Sequence, residues 1–82
     1  MNAQEETLVA RKKAETEKLE KDFTYHAPKG DQVPRYQAIR DQAKQFAAYI
    51  LDATIYSREQ SLALTKLEEV VFWANAAIAR NE

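Results

Sequence analysis

The sequence predicts an all-α protein built on a long antiparallel helical hairpin. Three observations carry that expectation. Its 82 residues hold a single glycine and two prolines, too few breakers for a loop-rich or β-turn-rich chain. Apolar residues after position 32 recur at three-and-four spacing, the period of a helix face. Between two such stretches lies only a short break around Tyr56, so the helices must double back on each other.

Two parts are expected along the chain. Residues 1–22 form a charged N-terminal helix or arm, and residues 23–82 form a loop followed by the hairpin. The N-terminal part consists of good helix formers, with opposite charges four apart as in Glu17 and Lys21. Its large apolar residues are only Leu8, Val9 and Leu19, so it has little to bury. The segment FTYHAPKGDQ then gathers two aromatics, a proline and the only glycine. Ala27 before Pro28 is driven toward an extended conformation, and Gly30 permits a positive φ, so this is a structured loop.

Asp31 is placed to cap the next helix, with Pro34 in the first turn where its missing N–H does no harm. Val33, Tyr36, Ile39, Ala43, Phe46, Ala47, Ile50 and Leu51 then predict a helix from about Gln32 to Ile55. Ser57-Arg-Glu-Gln60 is a capping-box pattern, with Gln60 placed to reach back to the Ser57 amide. Leu64, Leu67, Val71, Ala74 and Ile78 line one face of the last helix, and Leu62, Val70, Trp73 and Ala77 widen it. Val70 to Trp73 are consecutive and point about 100° apart in turn, so one partner helix cannot cover them all. A second copy of the chain is the simplest cover. Small size with no staple leads to the same expectation of a homo-oligomer.

The composition excludes many functions. With no cysteine there is no disulfide, thiolate nucleophile or thiolate metal site. One histidine cannot form a histidine cluster, and one glycine cannot build a phosphate-binding glycine loop. No catalytic constellation is evident, Glu68 and Glu69 diverge as helix neighbours, and neither cofactor nor metal is expected. The net charge of −1 gives no overall field for a nucleic acid polymer or an anionic membrane. No apolar run is long enough to span a bilayer, and the start MNAQEETLVARKK lacks the form of a signal peptide, so a cytosolic protein is expected.

Candidate binding residues concentrate between positions 23 and 44. Lys29, Arg35, Arg40 and Lys44 stand against only Asp31 and Asp41, interleaved with Phe23, Tyr25 and Tyr36. Aromatic rings stack on nucleobases, cations neutralise phosphates, and the backbone at Gly30 allows close approach of a ligand. These ingredients suit a small nucleotide, with Tyr25, Lys29 and Gly30 as loop contacts. Against that, Phe23 and Tyr36 can simply anchor the loop, and Arg35 and Arg40 can pair with Asp31 and Asp41. His26 reads as a hydrogen-bonding residue. Trp73 belongs to a core or subunit interface, and Arg80 complements the last-turn helix dipole.

The strings FTYHAPKGDQVPRYQAIR and SREQSLALTKLEEVVFWANAAIARNE resemble the phage anti-CBASS sponge proteins of the second type. CBASS is a bacterial defence that signals infection through cyclic oligonucleotides. The likeness covers Phe23 to Glu82 and implies a helical homohexamer. Such a hexamer sequesters cyclic dinucleotides such as 3′,3′-cGAMP between subunits without cleaving them, in the cytoplasm of the infected host. It also implies that Tyr25 stacks on a purine and that Arg40 contacts the phosphates. Arg40 stands where the family carries Lys, which keeps the charge and changes its reach. Some members carry a second site for cyclic trinucleotides, and Arg80 matches an arginine of it. A reading from a different class is a non-enzymatic helical adaptor that binds another protein through the wide apolar stripe.

Overall fold

The computed structural model describes residues 2–82, which form three helices: α1 (Ala3–Phe23), α2 (Gln32–Ala53) and α3 (Arg58–Asn81). α1 is a continuous helix rather than a loose arm. A capping box starts it: Asn2 Oδ1 accepts from the Glu5 amide at 2.8 Å, and Glu5 Oε2 accepts from the Asn2 amide at 3.4 Å. Glu5 and Glu6 in its first turn and Lys21 in its last complement the helix dipole. The ion pair that forms on its surface is Lys18–Asp22, at 2.7 Å, one position on from the expected Glu17–Lys21 pair.

α2 begins where expected, although Asp31 makes no side-chain capping bond. Its carboxylate pairs instead with Arg35, at 3.2 Å. The helix stops at Ala53, two residues before the expected end. Thr54 takes an extended conformation while its amide (3.1 Å) and hydroxyl (2.6 Å) both donate to the Ile50 carbonyl. Four residues, Thr54–Ser57, reverse the chain. Ser57 caps α3, accepting from the Gln60 amide at 3.1 Å. The Gln60 side chain does not return to the Ser57 amide. Its amide nitrogen donates to the Thr54 carbonyl (3.2 Å) and hydroxyl (3.0 Å), which sews the end of α2 to the start of α3.

α2 and α3 lie side by side and antiparallel. At the open end of the hairpin, Arg35 in the second turn of α2 grips Glu82 after α3 with both guanidinium nitrogens, the Nη1–Oε2 bond being 2.9 Å. The half-buried seam is Tyr36, Ile39, Ala43, Ala47 and Ile50 against Leu64, Leu67, Val71, Ala74 and Ile78. That is the predicted stripe on α3. On α2, however, Val33, Phe46 and Leu51 point outward with the widening residues Leu62, Val70 and Trp73.

Among the described residues no apolar side chain is buried, and the only buried residues are Gln32 and Gln60, one at each end of the hairpin. The chain measures 62 × 34 × 15 Å, one helix thick, with a radius of gyration of 19.0 Å. A compact chain of this length has a radius near 12 Å. Its surface of 6953 Å² exceeds the roughly 5,000 Å² of a compact chain of this mass. About half of the unfolded surface is thus buried, less than size alone suggests. Near its C-terminus α1 meets the hairpin, where Lys21 donates to Asn81 Oδ1 at 3.0 Å.

Arg35 holds the Glu82 carboxyl below its usual range through their hydrogen bonds, with the Arg35 charge adding to the effect. A carboxyl lowered on folding contributes stability above its unfolded pKa of about 4.3, lost as pH falls through the folded value. Thermal melts of the parent and Glu82→Gln should therefore differ at pH 7 and draw together as pH falls through the carboxylate range; a constant gap would contradict this clasp. Gly30 has φ of +55°, and a Cβ at that position would meet nothing within 4 Å. Gly30→Ala should cost about 1 kcal/mol or more from backbone strain, as read from chemical denaturation.

Candidate functional site

The loop between α1 and α2 is tied at both ends. His26 Nε2 lies 2.7 Å from the Lys21 carbonyl oxygen in the last turn of α1. A carbonyl only accepts, so Nε2 carries the proton and donates, satisfying one of the carbonyls a helix end leaves open. At the other end Gln32, only 4% exposed, accepts from the Lys29 amide through Oε1 at 3.1 Å. Its own backbone amide donates to the Lys29 carbonyl at 3.1 Å. The turn so closed has Gly30 at its first central position with positive φ, and Asp31 (φ −90°, ψ 14°) at its second. A type II′ turn requires that combination, which is why glycine stands there.

Tyr25 lies within the first of these ties and is 84% exposed. Tyr25, Lys29 and Gly30 thus all lie exposed on one loop.

Arg40 sits elsewhere. It lies on an exposed face of α2, one turn from Lys44, and both line a groove of about 470 Å³ along one flank of the hairpin. Leu51, Leu67, Val71 and Phe72 give that groove an apolar wall, and Glu68 is its acidic member. Among the described residues neither Arg40 nor Lys44 makes an ion pair; Asp41 accepts from Gln37 at 2.9 Å instead. Both cations are therefore uncommitted. Arg35, by contrast, is spent on Asp31 and Glu82, and its already high pKa is raised further by the bond to Glu82.

Arg80 faces a separate groove of about 710 Å³ between α1 and α3, lined also by Trp73, Lys18, Lys21 and Asp22. Its guanidinium carbon sits 6.0 Å from the Trp73 ring centroid, and Nη1 lies 3.8 Å from Asp22 Oδ1. That is cation–π range with a long ion pair behind it. Asp22 is held below the usual carboxylate range, chiefly by its hydrogen bond from Lys18, with the Arg80 charge adding less. Lys18 is raised by the same bond. Arg80 therefore has partners beyond the helix dipole.

Sequence reasoning places Lys44 among the candidate cations but does not single out Phe72, Trp73 or Asp22 as site residues. Trp73 was within reach of helical spacing, since it precedes Arg80 by two turns. Asp22 carries no local signal, since only folding brings α1 to the end of α3. Among the described residues no cluster of His, Asp and Glu could hold a metal ion, and no helix is long and apolar enough to cross a membrane.

Comparison with known proteins returns one family. Residues 4–79 match the family described as Acb2/Tad1, hairpin domain. The match takes in α1 as well as the loop and hairpin, beyond the Phe23–Glu82 stretch in which the sequence strings carry the likeness. No curated protein and no solved structure matches the chain. A helical hairpin without strands among the described residues, matched over nearly its whole length, identifies the chain as a member of the Acb2/Tad1 hairpin family, the anti-CBASS sponges.

Proposed function

We propose that this protein sequesters cyclic dinucleotides such as 3′,3′-cGAMP, without cleaving them, and so keeps CBASS effectors in an infected host cytoplasm from being activated. The proposal extends to cyclic trinucleotides at a second site that includes Arg80. It assigns Tyr25 to stacking on a purine and Arg40 to the phosphates, with Lys29 and Gly30 as further loop contacts. The observation that carries it is the presence of an exposed tyrosine on a tied loop and of uncommitted cations on α2, within a chain of the sponge family.

Chemistry supports capture over turnover. Stacking and phosphate pairing bind a cyclic dinucleotide without any group to attack its phosphodiester bonds. Tight capture then depends on slow release, and release is slowest from a pocket closed on several sides. In one protomer Tyr25 lines neither of these two grooves, whereas Arg40 lines one of them. A pocket containing both is most simply closed by a neighbouring copy.

Self-association has its own physical support. The protomer exposes roughly 2,000 Å² more than a compact chain of its mass. A standard interface takes about 800 Å² from each partner, so there is surface for more than one. The exposed set includes Phe46, Tyr49, Phe72 and Trp73, the residue types that anchor interfaces. We place this assembly at six copies, following the family resemblance.

The same exposed residues favour one competing reading, an adaptor that covers them with a different protein. Calorimetry with 3′,3′-cGAMP separates the two. Heat of binding, with intact ligand recovered after denaturation, is expected of a sponge. Linear products would show an enzyme, and no heat together with capture of a defined protein partner would show an adaptor.

Tyr25→Ala should weaken dinucleotide binding by roughly tenfold to a hundredfold, the worth of one stacked base. Arg40→Ala should weaken it about tenfold or more, through loss of a charged hydrogen bond. Neither should change oligomer size by sedimentation. Parent-like affinity in both variants would refute the site. Arg80→Ala should spare dinucleotides and weaken trinucleotides, and the reverse pattern would overturn that assignment.

A further inference from the structure

Tyr25 makes no hydrogen bond among the described residues, and its ring is almost wholly exposed, so nothing in its own side chain holds it in place. What restrains it is the backbone on either side. On the N-terminal side α1 ends at Phe23, and Thr24 leaves it in an extended conformation (φ −101°, ψ 138°). Immediately after Tyr25, the His26 ring reaches back to the Lys21 carbonyl at 2.7 Å. Lys21 to His26 is therefore a closed ring with Tyr25 inside it. Without the imidazole bond the loop's next tie is at Lys29, three residues farther on.

We infer that His26 is a positioning residue for the ligand site: by bonding Nε2 to the end of α1 it fixes the Tyr25 backbone, so the ring is set to stack before ligand arrives. The inference rests on the proposal that Tyr25 is the stacking residue. It differs from a catalytic or ligand-contacting role for His26, because the proton on Nε2 is already committed to the Lys21 carbonyl. The physical gain is preorganisation. A loop ordered in advance loses less conformational freedom on binding, and the affinity otherwise spent on ordering is retained.

A double-mutant cycle tests this, with 3′,3′-cGAMP as the probe and the full-length chain titrated by calorimetry. His26→Ala should weaken binding about tenfold in the parent, the scale of ordering one or two residues. In a Tyr25→Ala background the same change should have no further effect. His26→Gln should restore most of the affinity, since its amide N–H reaches about as far as Nε2, whereas the shorter His26→Asn should not. Helix content by circular dichroism and oligomer size should match the parent in each variant. If His26→Ala itself fails to fold, the comparison of His26→Gln with His26→Asn still decides.

Three results would overturn the inference. An equal loss from His26→Ala with and without Tyr25 would show that His26 acts independently of the ring. Unchanged affinity in His26→Ala, with Tyr25→Ala still impaired, would reject the positioning role and leave the stacking proposal standing. Unchanged affinity in Tyr25→Ala would remove the stacking residue, and the positioning role with it.

Discussion

The seam between α2 and α3 is the constraint on which everything else depends. Two helices side by side make a layer one helix thick, and a single layer has no inside. Each apolar stripe can be covered along one line of contact only. The ten seam residues are half-buried, and the apolar residues on either side of them stay in solvent. Burial of apolar surface is the main favourable term in folding. A chain with so little of it relies on polar fastenings at its ends.

Those fastenings are glutamines and ion pairs. Gln60 ties Thr54 at the closed end of the hairpin, while Gln32 ties Lys29 at the open end, where Arg35 also grips Glu82. A buried polar side chain is tolerated only when its hydrogen bonds are satisfied, and both glutamines have partners. The open-end fastenings do a second job. They hold the start of α2, the end of α3 and the Lys29–Gln32 turn as one unit, and that unit carries the loop on which Tyr25 is displayed. Hairpin stability and site geometry are thus linked through the same few residues.

The charges divide in a way that bears on ligand capture. Arg35 is paired with Asp31 and Glu82 through its terminal nitrogens, and Arg80 is shared between Trp73 and Asp22. Arg40 and Lys44 have no such partners among the described residues. An anion binds more readily to a cation whose charge is not already neutralised, so the flank carrying Arg40 and the groove carrying Arg80 differ in what a phosphate must displace. That distinction lies in the contacts and not in residue type, since all three are arginines.

Much of the fold was legible in the chain itself. Three-and-four spacing located α2 and α3, Ser57 marked a helix start, and Gly30 with Pro28 marked the loop. The candidate loop residues Tyr25, Lys29 and Gly30 and the hydrogen-bonding role of His26 were readable too, because the ties that shape the loop are local. Such features depend on residues within about five positions, which a linear reading can see. The destination of the Gln60 side chain, the loss of Asp31 as a cap to Arg35, and the meeting of Asp22 with Arg80 could not be read that way. Nor could spacing alone tell which apolar residues of a wide stripe face the partner helix, with Ala43 and Ala47 in the seam and Phe46 outside it. Those outcomes turn on the relative rotation and contact of segments far apart in sequence, and only tertiary structure decides them.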